Sequence, residues 1–528
     1  MHTIRLVVLA LAASGTLFAQ HQLQSLSAQP PSPGGALDFH VVMEGDHAAA
    51  FHRVQGVERQ VYMYRRTPVR LELEQIIGAP VGSLGFAAHI ALDGTTLVVG
   101  APDTAGRGRV YVYERTAGQW TLEATLHTQL NEPGGYFGTA VAIDGDTIVA
   151  GAVGENLTAN VDGFAYFFER SPAGQWDQVA RVRPQDAEPD SAFGSAISLD
   201  GDAVVISSPT GPGGQAGQRG AAWMYRRTNG TWAIEQRLVP SVGPGYSAHY
   251  GTSVSLDGDR VAVSAWRQSF NGVTGAGTVH VFEGGPAGWT ETSIVFDPDA
   301  QPGDQFGSTV DLEGDTLVVG ATNRGDVRQG AGLIFRESSG VWTLGQVLRP
   351  SFGSAASLPN SSFGFAVSLD RDAVLLGANL DDTYGVNAGS LRLFDLDRGT
   401  TRYCVATTNS LGGAALLFAE GSRDVEVNRF ELRALGVPDG FGAGAYGDMQ
   451  AQLPVGNGFV CVGGALQRLP IAVASGGELR LAIDFTAPPT AGGMILAGST
   501  WNFQAWYRDV AAGGAGWNLS DAVSVTFD

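Results

Sequence analysis

The sequence predicts an all-β protein, a seven-bladed β-propeller followed by a C-terminal β-sandwich. Three observations predict it. A block that opens at Phe137 as FGTAVAIDGDTIVAGA returns from Phe193, Tyr250, Phe306 and Phe363, with looser copies from Phe86 and Leu37. The acid before each turn (Glu44, Asp93, Asp144, Asp200, Asp257, Glu313, Asp370) recurs at spacings of 49 to 57 residues, the length of one four-stranded blade. Within the repeats, β-branched and aromatic residues alternate at period two, and no 3.6-residue apolar period competes.

Taken in chain order, the first element is an export signal. His2 and Arg5 make a short basic start, Leu6 to Leu11 is apolar, and small residues follow to Thr16. Residues 1–19 therefore read as a signal peptide cleaved near Ala19. No later stretch approaches the ~18 apolar residues needed to cross a bilayer. An exported protein is expected, extracellular or on the cell surface, with the periplasm as an alternative.

Residues 20–399 form the propeller. In each repeat a first strand such as 139–143 ends at an Asp-Gly pair, which supplies the positive φ of a two-residue hairpin turn. The second strand is a β-branched run, as in Thr316-Leu-Val-Val319, and the third is aromatic, as in Val110-Tyr-Val-Tyr113. The fourth opens with a tryptophan at Trp120, Trp176, Trp232, Trp289 and Trp342. The seventh repeat stops after three strands. Residues 20–35 align without gaps on 120–135 and end in the same Pro-Gly-Gly, so a strand at 20–28 is expected to complete blade 7 and remove an open sheet edge.

The tail, 403–528, contains short apolar runs broken by glycine and suits a β-sandwich. Cys404 and Cys461 are the only cysteines. In an oxidising compartment they are expected to pair, closing a 57-residue loop that contributes on the order of 4 kcal/mol in the chain-entropy picture.

Composition excludes several functions. Glycine is 74 of 528 residues, about twice the usual ~7%, yet 44% of the chain is apolar, so a core forms. All 32 basic residues are arginine, and the absence of lysine removes Walker-A loops, Schiff-base chemistry and lysine bases. A net charge of −20 argues against nucleic acid as the partner. No His-Glu-x-x-His, Cys/His metal spacing or Gly-x-Ser-x-Gly elbow occurs. Neither catalytic, cofactor-binding nor metal-binding residues are assigned. The recurring turn acids are read as hairpin geometry, the Phe-Gly pairs as blade packing and the tryptophans as sheet anchors.

The Phe-Gly opening and the Gly-Ala-Pro close (Gly100-Ala-Pro102) resemble FG-GAP repeats, known from the integrin α-subunit head and from secreted bacterial proteins. The resemblance covers about residues 20–398. It implies a propeller with an adhesion or binding role, and calcium binding in a longer hairpin. Here that hairpin is only Asp144-Gly145-Asp146 or its equivalents, too short to wrap 6–8 oxygens around a cation. Calcium is not carried over. The Tyr403-Cys404…Asn409-Ser410-x-Gly412 start and the Phe503-Gln-x-Trp-Tyr-Arg-Asp509 end look like C-terminal modules of secreted bacterial proteins, for surface retention or carbohydrate binding.

Variable residues fall on the loops 153–163, 209–220, 267–277, 322–330, 379–389, 185–192 and 297–305, which share one face of the propeller. A monomeric binding protein for an extracellular protein or carbohydrate is expected from them. The rivals are a polysaccharide-active enzyme, using loop acids such as Asp186, Glu188, Asp190, Asp381 and Asp382, and a structural envelope protein. Arg324-Gly325-Asp326 matches an integrin-ligand tripeptide and is read as a chance occurrence. Asn156, Asn229, Asn360 and Asn518 head glycosylation sequons.

Overall fold

The computed structural model describes residues 22–26, 36–53, 59–67, 70–83, 85–103, 107–129, 135–155, 163–186, 191–209, 220–242, 248–325, 328–349, 361–371, 373–381, 389–396, 400–404, 406–421, 425, 428 and 430–527. They are almost entirely β, with two short 3-10 turns at Ala491–Gly493 and Val510–Ala512. The chain separates into two compact units, whose main segments are Gln22–Asp395 and Leu396–Asp528.

The first unit holds seven four-stranded antiparallel sheets. Blades 1 to 6 span 36–78, 89–126, 137–182, 197–238, 250–295 and 306–348. Blade 7 joins 363–395 to Gln22–Leu26. First strands of successive blades pack side by side. Phe363–Asp370 of blade 7 also packs beside Ala36–Glu44 of blade 1, so the ring closes. The closing strand runs antiparallel to Ser390–Asp395, with Leu26 opposite Leu391, and Leu26 packs into the core shared by blades 1 and 7.

The burial of each strand explains its composition. Second strands such as Thr96–Ala101 (TLVVGA) are buried at all six positions, because blades cover both of their faces. Fourth strands such as Gln119–Leu126 keep Trp120 and Leu126 buried and are largely exposed between them. In blades 1 to 6 a register shift falls between the third and fourth strands, for example at Phe167/Phe168 and Val281/Phe282. A bulge of this kind raises the local twist.

Glycine in the Phe-Gly and Gly-Ala elements is required by backbone contact between blades. A Cβ on Gly100 would lie 2.1 Å from the carbonyl oxygen of Gly138, and one on Gly320 would lie 2.0 Å from that of Gly364. The paired Phe137 and Phe363 are buried behind them.

The second unit packs a six-stranded sheet against a three-stranded one. Leu417, Leu432, Leu479 and Leu481 of the smaller sheet meet Phe503, Tyr507, Val523 and Val525 of the larger. The first strand of the unit, Thr400–Tyr403, pairs with Trp517–Thr526, so the sandwich takes in residues 400–402, which lie between the propeller and the tail bounds read from the sequence. Cys404 and Cys461 are disulfide-bonded at a Cα separation of 6.1 Å. Cys461 is buried beside Val462 and Ala522, and the Tyr403 hydroxyl donates to its carbonyl oxygen at 2.8 Å.

Candidate functional site

At the tight-turn face the repeated acids join neighbouring blades. Asp93 Oδ2 accepts the N–H of Gly145 at 2.5 Å, Asp200 that of Gly258 at 2.5 Å and Asp257 that of Gly314 at 2.6 Å. Asp144 accepts from Gly201, and Glu313 accepts from Arg371 at 2.6 Å. Each carboxylate thus caps the hairpin of the next blade, and Asp370 pairs with Arg66 across the closing seam. The tryptophans act in the same way. Trp120, Trp232 and Trp289 are buried, and each indole N–H donates to a glutamate of the preceding blade: Glu74 (3.2 Å), Glu169 (3.4 Å) and Glu235 (3.2 Å).

The first strands present a second set of links towards the axis. Among the described residues no strand pairs with their inner edges, and side chains fill the gap. Ser198, Ser255 and Ser368 hydroxyls accept the N–H groups of Leu256, Leu312 and Met43 in the following blade, at 2.8 to 3.0 Å. Asp311 accepts from Leu369 N–H at 2.8 Å and from the Ser255 hydroxyl at 3.0 Å, and burial raises its carboxyl to about 6. His40 and His89 lie with ring centroids 3.7 Å apart. Burial lowers His40 to about 4 and His89 well below its ordinary value, so both are neutral at pH 7.

The loop face follows a different plan. In blades 3, 5, 6 and 7 the backbone repeats. The second residue after the second strand (Gly154, Arg267, Asn323, Leu380) donates its N–H to Gly135, Ala248, Asp304 and Ser361. The glycine at the far end of each loop (Gly163, Gly277, Gly330, Gly389) donates to the third residue of that loop: Glu155, Gln268, Arg324 and Asp381. Those third residues are buried, and each has different partners.

Glu155 accepts from the Tyr166 hydroxyl at 2.5 Å and pairs with Arg181 at 2.5 Å. Gln268 Oε1 lies 3.0 Å from both Thr278 Oγ1 and His280 Nε2, and His280 Nδ1 is 2.5 Å from Glu291. Arg324 grips Asp297 with two hydrogen bonds, at 2.5 and 3.2 Å. Asp381 takes the Ser390 hydroxyl and pairs with Arg392 at 3.0 Å. Each loop is thus held at its base by its own buried polar set, which leaves the outer part free to vary.

These placements decide several sequence expectations. Asp186, in the loop after blade 3, accepts from the Trp223 indole of blade 4 at 3.1 Å and pairs with Arg237 of blade 4 at 3.2 Å, and Asp381 is bonded within blade 7 as described. Glu188, Asp190 and Asp382 lie outside the described residues. Arg324 of the Arg-Gly-Asp tripeptide is locked to Asp297, and Asp326 lies outside the described residues. Asn518 is fully buried and Asn229 sits on an exposed turn, while Asn156 and Asn360 lie outside the described residues. Among the described residues no group of three or more His, Cys, Asp or Glu is placed to hold a metal ion. No helix among them is long and apolar enough to cross a membrane.

Of the clamp residues, Glu155 and Gln268 are not singled out from the sequence, and Arg324 and Asp381 are named there only for other roles. Their signal is a column, three positions beyond the second strand, that is polar in these blades yet never the same residue. Repeat alignment emphasises identity and passes over such a column.

The family model for the FG-GAP repeat matches residues 120–168, 176–225, 232–282 and 289–335. Each match runs from a fourth-strand tryptophan through the third strand of the next blade, the same offset by which Gln22–Leu26 completes blade 7. The chain carries FG-GAP repeats. The inter-blade glycine contacts and the wedged phenylalanines account for the two halves of the FG-GAP signature. A solved structure titled "Crystal Structure of Mitotic Checkpoint Complex" is similar over 74% of this chain and 99% of that one, at 12% identity and a TM-score of 0.45.

Proposed function

We propose that this FG-GAP propeller is an exported binding protein that recognises an extracellular protein or glycan with its long-loop face. One observation carries the reading: the loops share a backbone frame while each has a different buried clamp and different outer residues. A structural role alone would favour repeating the clamp, as the tight-turn face repeats its acids. Loops of differing chemistry, anchored at their bases on a common scaffold, suit recognition. Catalysis is not part of the reading, because of the loop acids described Asp186 is bonded to Trp223 and Arg237 of blade 4 and Asp381 to Ser390 and Arg392 of blade 7. In this reading the sandwich serves attachment or recognition, and the short acid turns need no calcium.

The test is to screen residues 20–528 on protein and glycan arrays, then to repeat it with loops 267–277 and 322–330 shortened. A ligand lost on shortening the loops supports the reading. Absence of any ligand, or one indifferent to every loop, overturns it.

A further inference from the structure

The larger sheet of the second unit has two unlike halves on its outer face. One half is covered by the hairpin of Met449–Val455 and Gly458–Gly463, where Gln504 accepts the Cys461 N–H at 2.9 Å and donates to the Phe459 carbonyl at 2.8 Å. The other half is bare. In Gly440–Gly447 a Cβ on Gly442 would lie 2.5 Å from Leu479 and one on Gly444 2.7 Å from Leu469, both core residues. Phe441 and Ala443 therefore face outwards. Phe441 stands opposite Val473 of Ala472–Ala474, and Ala443 opposite Trp506 of Thr500–Arg508. Trp517 follows on the next strand, its ring centroid 6.2 Å from that of Trp506 and the planes tilted by 42°. Phe441, Val473 and the nearby Ile471 are 56%, 66% and 74% exposed. The solvent side of an antiparallel sheet is ordinarily polar, so an apolar strip across four strands marks a contact surface.

The two indoles are open to a ligand. The side chain opposite Trp506 is only the methyl of Ala443, and both rings are partly exposed. Neither indole N–H has a partner among the described residues, and neither is sealed from solvent, whereas those of Trp120, Trp232 and Trp289 are bonded to glutamates. Beside the strip the charged side chains are Asp439, Arg468 and Arg508, a mixture close to neutral, with the exposed Arg508 opposite Trp517. Five apolar side chains fall far short of the ~20–30 residues a side of a standard protein interface. Ring faces bordered by N–H donors suit a sugar. The C–H groups on the face of a sugar ring pack on the negative face of an aromatic ring, and hydroxyls at its edge accept from indole and guanidinium N–H groups.

We propose that this strip binds a neutral β-1,4-linked glycan chain, laid across Phe441, Trp506 and Trp517 with Arg508 donating to its hydroxyls. Equatorial hydroxyls and linkages leave the faces of such rings flat for stacking. The proposal rests on the attachment or recognition role read for the sandwich and not on the loop face.

Calorimetry on chain 20–528 tests this with cellohexaose and chitohexaose, against an oligogalacturonate of the same length. At least one neutral hexaose is expected to bind, with the oligogalacturonate roughly tenfold weaker or more. Trp506→Ala and Trp517→Ala should each weaken binding by roughly tenfold, and Phe441→Ala by a few-fold. Melting midpoints report whether the tryptophan variants stay folded; where one does not, Phe441→Ala and Arg508→Ala, both at exposed positions, decide instead. Binding of neither hexaose, preference for the oligogalacturonate, or parent-like affinity in the folded variants overturns the inference. So does a dimer in sedimentation that Phe441→Ala dissociates, since the strip is then covered by a second copy. Shortening loops 267–277 and 322–330 should leave hexaose binding unchanged. If the arrays yield a loop-dependent ligand while the hexaoses fail, this inference alone falls. If the hexaoses bind through the indoles and no loop-dependent ligand exists, the loop-face reading alone falls.

Discussion

At the tight-turn end of the propeller the blades repeat one device, an acid that closes the hairpin of the next blade. At the loop end, Glu155, Gln268, Arg324 and Asp381 occupy one backbone position and make four different sets of contacts. Both ends belong to the same strands, so strand chemistry does not cause the difference. The turn end solves a problem common to all blades, the unpaired N–H groups of a two-residue hairpin beside the axis. The loop end has no common problem beyond closing each loop, and individual solutions are tolerated there. Repetition marks what the ring requires, and variation marks where a ligand can be accommodated.

The comparison presupposes a closed ring, and the largest expected effect follows from opening it. Removing residues 20–28 takes away the strand paired with Ser390–Asp395 and uncovers Phe394. The melting midpoint should fall by about 10 °C or more, since blades packed into one ring share their loss. Equal midpoints for chains 29–528 and 20–528 would sink the closure.

Next in size is the loop end. Arg324→Ala leaves Asp297 buried without its cation, which costs about 3–5 kcal/mol, or about 5 °C for a unit of this size. Hydrogen exchange should speed up at 297–305 and 322–330 while the tight turns stay protected. Loss of protection all round the ring would remove the distinction between the two ends.

A turn acid should matter less. Asp200→Ala deletes one hydrogen bond from Gly258 N–H at an exposed turn, a loss of about 1 kcal/mol. A drop as large as that of Arg324→Ala would contradict the ranking.

Glu44 tests the seam between blades 1 and 2 by pH. Burial, then the charge of Asp93, raise its carboxyl to about 7. Between the unfolded value and about 7 the folded state holds the extra proton, so this group costs stability as pH rises through that window. Glu44→Gln should therefore gain about 2 °C over the parent at pH 8 and show no gain near pH 4. His40 and His52, lowered to about 4 by burial, act in the opposite sense. Their stability is present above 6.5 and is lost as pH falls towards 4. A pH-independent difference between Glu44→Gln and the parent would show that the carboxyl is not held protonated. Smallest of all, a chelator should leave the midpoint of the parent unchanged; a fall of several degrees would show that the short turns bind a cation after all.

The blade parse was legible because its causes are local and repeated. Period-two burial, an Asp-Gly turn and a Gly-Ala close are set within a few residues by φ, ψ and the pleat, and seven copies average out the noise. The offset of the closing strand was legible for the same reason, since 20–35 is a copy of a fourth strand and its loop. The start of the sandwich was legible only to within a few residues, because its first strand, Thr400–Tyr403, is set by pairing with Trp517–Thr526, more than a hundred residues away.

By itself the sequence determined the class, the repeat and the offset of the ring, through short-range rules. Only the tertiary structure decided what the acids and tryptophans touch, and that Arg324 is locked to Asp297. The reason is physical. A charge or an amide has its value set by neighbours brought in from other blades, and no spacing along the chain records whether that neighbour is present.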